Sequence, residues 1–92
     1  MMNDRADFRK YYRNAHATAL LTDREKKLIG IAVAIARNCQ LWIDQRLADA
    51  GQAGIPEEVL EVTFDLTTAV MAGIGQSMLQ RYKKSTSESN QC

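Results

Sequence analysis

Cys39 is the residue of this sequence best suited to chemistry, because a cysteine thiolate is a nucleophile. Asn38 is a good helix cap, so Cys39 is predicted at the start of a helix. The aligned amides there, with the nearby cations Arg37 and Arg46, would favour the thiolate. The alternative is a small buried hydrophobic residue at a helix junction. We prefer the alternative, since a cysteine on an apolar stripe is often shielded from solvent.

Arg46 is unusual because it lies on the apolar stripe of the same predicted helix. A guanidinium group in that position needs a polar partner or a wet cavity. It could contact an anion or a carboxylate in a pocket. It could equally form a structural ion pair with Asp65 or Glu61 of the fourth helix, or with a neighbouring subunit. The sequence favours neither interpretation.

His16 is the only histidine of the chain, and it lies in the predicted N-terminal helix. It would form a pair with Cys39 only if that helix folded over the third helix. A half-exposed histidine near a helix end is the preferred interpretation. Cys92 could act as a distant resolving thiol, but we prefer to interpret it as a tail cysteine without a role.

Four helices are predicted to position these residues, because long segments separate the turn signals and strand-like alternation is absent. The first runs from about Asp4 to Ala19, and its apolar stripe is interpreted as core or interface. The second begins after a capping box, and the third runs from Asn38 to about Ala50. The fourth begins near Pro56. The stripe of the first helix consists of Phe8, Tyr11, Tyr12 and Ala15, and the capping box is Thr22-Asp23-Arg24-Glu25.

The second helix is apolar all round from Leu28 to Ala36, which predicts that it forms the buried centre of a bundle. Ile31, Val33 and Ile35 are therefore expected to be buried. Small residues of the fourth helix predict either close approach of another helix or a break near Gly73 to Gly75. The expected organisation is an N-terminal helix over 1–20, a helical domain over 21–84 and a disordered tail over 85–92. The small residues are Ala69, Ala72, Gly73 and Gly75.

Composition limits the function classes. The chain has 92 residues and a net charge of +1, so no overall field draws it to nucleic acid or to anionic lipid. No apolar run is long enough for a membrane span, and the first thirteen residues lack the apolar run of a signal peptide, so a cytoplasmic location is expected. No residue pattern calls for a metal ion or a cofactor. A core this small is marginal, which predicts a homo-oligomer.

From Leu21 to Tyr82, the order of features is similar to that of the carboxymuconolactone decarboxylase and alkyl hydroperoxidase D superfamily. These features are a capped helix, a helix that begins with a cysteine, a glycine turn, a proline-started helix and a small-residue stretch. The resemblance implies a small all-α bundle of the alkyl hydroperoxidase D type and assembly as a trimer or hexamer. The residues that carry it are Lys27-Leu28-Ile29, Asn38-Cys39, Ala50 to Gly54, Ile55-Pro56-Glu57-Glu58-Val59 and Met71 to Gly75.

The peroxidase branch of that family carries a Cys-x-x-Cys-x-x-x-His helix, with a glutamate on the preceding helix. The matching positions here are Lys27, Cys39, Trp42 and Arg46, so three of the four differ. The resemblance implies a peroxiredoxin-type antioxidant activity, but its cycle needs a second thiol and a local base. The decarboxylase branch also has a histidine where Arg46 stands. Trp42 adds bulk and is expected to fill the pocket.

Three functions are therefore open. The first is an enzyme, with Cys39 as its remaining thiol. The second is a non-catalytic relative that binds a small molecule or a partner, with Arg46 and Lys27 lining a remodelled pocket. The third is a helical adaptor that acts through its oligomer surface. The physical chemistry of the residues favours weak or absent turnover.

Overall fold

The chain folds into helices joined by short turns. The computed structural model describes residues 5–90, with side chains for 5–86, and contains no strand within that range. This confirms the predicted all-α fold. Its four helices are α1 (Arg5–His16), α2 (Asp23–Ala36), α3 (Gln40–Gln52) and α4 (Glu57–Asn90). None of them is long and apolar enough to cross a membrane.

The predicted capping box at the start of α2 is present. The backbone amide of Glu25 donates to the Thr22 hydroxyl at 3.1 Å, and the Glu25 carboxylate accepts from the Thr22 amide at 2.8 Å. Two amides without partners in the first helical turn are thereby satisfied. The Thr22 backbone amide, with a smaller effect from the Thr22 hydroxyl, holds the pKa of Glu25 below its ordinary value.

Two left-handed residues end α2 and α3 in the same way. Asn38 has a φ of 52° and Gly54 has a φ of 79°. After each, the next amide returns to the last turn of the helix: Cys39 N to Ala34 O, and Ile55 N to Ala50 O, both at 3.1 Å. Each pairing belongs to a Schellman motif, which satisfies carbonyls that the helix leaves unpaired.

The prediction that Asn38 caps α3 is wrong. The N-cap is Cys39, and its side chain makes no capping hydrogen bond. Asn38 terminates α2 instead, because asparagine tolerates the left-handed conformation better than most residues. The prediction that α3 begins next to Cys39 is confirmed, since its first residue is Gln40. The fourth helix also begins as predicted, at Glu57 after Pro56.

The core is small and centres on Ile31, which is fully buried together with Ala50 and packs with the buried Ile55. The second helix packs against α3 and α4 but is not buried all round. Ile35 is half-buried against the core, whereas Val33 is 57% exposed. The prediction was thus correct for Ile31 and wrong for Val33. The half-buried residues around the core are Leu28, Ile35, Leu47, Val59, Leu60 and Phe64.

The first helix contributes no buried residue to this core. Tyr12 is half-buried, while Phe8 and Tyr11 are exposed. Its aromatic stripe is therefore not core. Asp4, at the predicted start of the helix, lies outside the described residues.

The fourth helix continues through Gly73 and Gly75 without a break. It also extends to Asn90, over most of the segment predicted as a disordered tail. No glycine or proline follows Gly75, so nothing in the sequence stops the helix there. Positions 91 and 92, including Cys92, lie outside the described residues.

The lowered pKa of Glu25 predicts a pH-dependent contribution to stability. A carboxyl group whose pKa is lower in the folded state stabilises the fold above its ordinary pKa, and this effect is lost as the pH falls through the folded value. We expect Glu25→Ala to lower the melting temperature at neutral pH, and the difference from wild type to shrink by about pH 3. Arg24→Ala, beside it in the same turn, should show no such convergence. A constant difference for Glu25→Ala across this range would contradict the assignment.

Candidate functional site

Arg46 is held between α1 and α2 by neutral and aromatic groups. Its Nη2 donates to the Tyr12 hydroxyl at 2.8 Å, and its guanidinium lies 4.9 Å from the centre of the Trp42 ring. The sequence left open an ion pair with Glu61 or Asp65, but the hydrogen bond goes to the tyrosine instead. Arg46 is half-buried, so a full positive charge is partly removed from water while its hydrogen-bond partner is neutral.

Gly30 makes this position of Arg46 possible. A Cβ atom at Gly30 would lie 3.1 Å from Nη1 of Arg46 and 3.2 Å from its Cζ. Such distances are tighter than ordinary van der Waals contact, so the guanidinium lies almost directly on the backbone of α2. The glycine therefore has a packing role in the middle of a helix, where it otherwise lowers stability.

A groove of about 730 Å³ opens beside Arg46 and receives residues from α1, α2 and α3. Its cationic lining residues are Lys26, Arg37 and Arg46, and His16 adds an imidazole. Among the residues that the structure describes, no aspartate or glutamate lines it. The remaining lining is mainly apolar or aromatic. Those other residues are Tyr12, Ile29, Gly30, Val33, Ala34, Asn38, Cys39 and Trp42.

The structure brings together three of the four positions singled out in the sequence. Cys39, Trp42 and Arg46 line this groove. Lys27 lines an adjoining groove of about 490 Å³, together with Asp23 and Asp49. Lys26 and Arg46 line both grooves. Trp42 is 46% exposed, so it forms a wall and does not fill the space as expected.

Cys39 is half-buried, and its sulfur is a free thiol. The preferred interpretation was a buried residue, whereas Cys39 is only partly shielded from solvent. His16 lines the same groove, because α1 does fold over this part of the molecule. The imidazole Nδ1 is 2.9 Å from the Tyr12 carbonyl oxygen, and the ring stacks on Tyr12 at 4.1 Å between centroids. His16 and Cys39 thus share a groove.

Two residues of the site were missed in the sequence. Tyr12 was assigned only to an aromatic stripe, although it holds Arg46. Lys26 was not singled out, yet its ammonium group donates to the carbonyl oxygen of His16 and also lines the groove. The four-residue spacing of Tyr12 and His16 signals that they are neighbours on a helix. No local signal indicates the contact with Arg46.

Comparison of the chain with protein-family models, with curated proteins and with solved structures finds no match in any of the three.

Proposed function

We propose that the protein is a divergent relative of the carboxymuconolactone decarboxylase and alkyl hydroperoxidase D superfamily that binds a small organic anion in the groove beside Arg46. Most of the family's peroxidase motif is replaced, so its peroxiredoxin-type antioxidant activity is not retained in this proposal. The order of the helices and the meeting of Cys39, Trp42 and Arg46 in one groove support it.

The charge of the groove is the observation that carries the proposal. Lys26, Arg37 and Arg46 line it, and no carboxylate of the described part of the chain does. Like charges that line one groove repel one another, and a bound anion would relieve that repulsion. Arg46 has five N–H donors, of which one is used on Tyr12. Its remaining donors suit a carboxylate or a phosphate, which guanidinium groups bind with paired hydrogen bonds.

The apolar wall of the groove indicates what the part of the ligand that carries the anionic group is made of. Ile29, Val33, Ala34 and Trp42 offer hydrocarbon and an aromatic face next to the cations. In a site with an apolar lining and a few polar groups, the polar groups fix the orientation of a ligand that has an apolar part and a polar part. The proposed ligand is therefore an anion carried on an apolar or aromatic body.

Thiol chemistry is the second candidate function, and the shared groove of Cys39 and His16 favours it. An imidazole near a thiol can serve as a base. A complete peroxidase cycle also needs a resolving thiol. Trp42 occupies the position where the family has that cysteine, so Cys39 is the only thiol that lines the groove among the described residues.

The proposal includes assembly and location. Only Ile31, Ala34, Ala50 and Ile55 are buried among the hydrophobic side chains described, which is a small core for a chain that stands alone. With the family resemblance, this favours a cytoplasmic homo-oligomer, either a trimer or a hexamer.

Ligand binding can be followed through Trp42, the only tryptophan of the chain and a wall of the groove. We expect benzoate to change its fluorescence in a saturable way, and the neutral isostere benzamide to have no such effect. Arg46→Gln should weaken benzoate binding at least about tenfold, since charged hydrogen bonds contribute roughly 1.5–3 kcal/mol. Arg24→Gln removes a cation of α2 outside this groove and should leave binding intact. Equal binding of benzamide would contradict the proposal.

Gly30→Ala tests the placement of Arg46 separately from its charge. The added methyl group should displace the guanidinium and weaken benzoate binding. Alanine in a helix interior is up to about 1 kcal/mol more favourable than glycine. The weaker binding should therefore not be accompanied by a lower melting temperature. Gly73→Ala is the matched control, because nothing lies within 4 Å of a Cβ there. If Gly30→Ala binds benzoate as wild type does, the contact with Arg46 does not position it.

The loss of peroxidase function predicts no dithiol-dependent turnover of an organic peroxide above that of Cys39→Ser. Cys39 can still be oxidised once, to a sulfenic acid. Recovery should require Trp42→Cys, Arg46→His and Lys27→Glu together, because each missing group blocks a different step. Peroxide consumption by wild type and by these variants is the measurement. Repeated turnover by the unmodified protein, at a rate that follows ionisation of Cys39, would favour the enzyme instead.

A further inference from the structure

The face of α4 that packs on the core extends beyond it, and there its apolar side chains are exposed. Leu60, Phe64, Met71, Met78 and Tyr82 follow one another at spacings of four and seven residues, which places them in one line along the helix. Leu60 and Phe64 pack on the core. The other three are exposed, with Tyr82 at 67%. The same apolar face is thus half covered and half open.

The open half forms a contiguous apolar surface. Ile74 and Leu79 flank the line and are also exposed. Together the five exposed side chains present an area on the order of 500 Å², a size that on a monomer often marks an interaction site. Two such surfaces in contact would bury on the order of 1,000 Å², the lower bound of a biological interface. We call this surface, formed by Met71, Ile74, Met78, Leu79 and Tyr82, the distal face.

We propose that the distal face binds the distal face of a second copy of the chain, with the two α4 helices antiparallel and Gly75 of each opposite Met78 of the other. This goes beyond the anion site and does not depend on it. In this register Met71 of one copy lies opposite Tyr82 of the other. Because the contact repeats about a two-fold axis, it is self-complementary.

Gly75 determines the register. It lies on the distal face, and nothing lies within 4 Å of a Cβ there. The missing side chain leaves a depression between Ile74 and Leu79, and a long flexible thioether such as that of Met78 fits such a gap. Sliding the helices by one turn would place Met78 against a larger side chain.

The charges of α4 favour the antiparallel orientation. Its first turns carry Glu57, Glu58, Glu61 and Asp65, and no residue between 66 and 80 is charged. Arg81, Lys83 and Lys84 follow. A parallel pair would place the basic turns side by side. The antiparallel pair instead places each basic turn over the uncharged residues 69–72 of the other copy, which avoids the repulsion between like charges.

A two-fold contact selects between the assemblies that the family resemblance favours. A hexamer can contain two-fold axes, but an isolated trimer cannot. The distal face is therefore compatible with a dimer or a hexamer, and not with a trimer alone.

Disulfide cross-linking tests the register. In a Cys39→Ser, Cys92→Ser background, a Met71→Cys chain mixed with a Tyr82→Cys chain should cross-link after exchange of subunits, and neither variant should cross-link with itself. In the antiparallel pair two copies of position 71 lie about 16 Å apart along the axis, beyond the reach of a disulfide. Cross-linking of each variant with itself, and not between them, would indicate parallel helices and overturn the proposal.

Charge substitution tests the surface itself. Met78→Glu should raise the dissociation constant of the two-fold contact at least about tenfold, measured by sedimentation equilibrium. Val62→Glu is the matched control: its side chain is 62% exposed, against 60% for Met78, and it lies on the opposite side of α4. It should leave assembly unchanged. A wild-type chain that stays monomeric at micromolar concentration overturns the proposal, whether or not it binds anionic vesicles or another protein. Benzoate binding is scored separately, so the two proposals can fail independently.

Discussion

The packing of Ile31 against Ala50 and Ile55 is the contact on which the rest of the structure depends. These residues come from α2, from α3 and from the turn before α4, so a single cluster joins three helices. The turn at Gly54 makes the cluster possible, because its left-handed backbone returns the Ile55 amide to the Ala50 carbonyl. Without that reversal, the side chain of Ile55 would not reach the core.

The groove depends on the same cluster, since it is built on the other side of α2. The packing of α2 on α3 fixes the distance at which Arg46 lies on Gly30. The first helix then adds Tyr12 and His16 from outside the core, through polar contacts with Arg46 and Lys26. The cations of the groove therefore lie on the side of α2 away from the apolar core, where their burial does not destabilise it.

Local signals predicted the helices well, because a helix end is decided by a few neighbouring residues. The capping box at Thr22 correctly predicted the start of α2, and Pro56 correctly predicted the start of α4. Contacts between helices were not predictable in this way. Tyr12 and Arg46 lie 34 positions apart, and no periodicity relates them. Val33 was misjudged because its burial depends on how many helices cover α2. Asn38 was misplaced because asparagine suits both a helix start and a left-handed end.

The short turns that join consecutive helices also bear on how the chain folds. The core is assembled by segments separated only by residues 37–39 and 53–56. Closing such loops costs little chain entropy, and proteins dominated by local contacts fold quickly. The α2–α3 hairpin can therefore form as a unit on which the start of α4 packs. The docking of α1 requires the closure of a longer loop and lacks a buried side chain, so it is expected to be a late and readily reversed step.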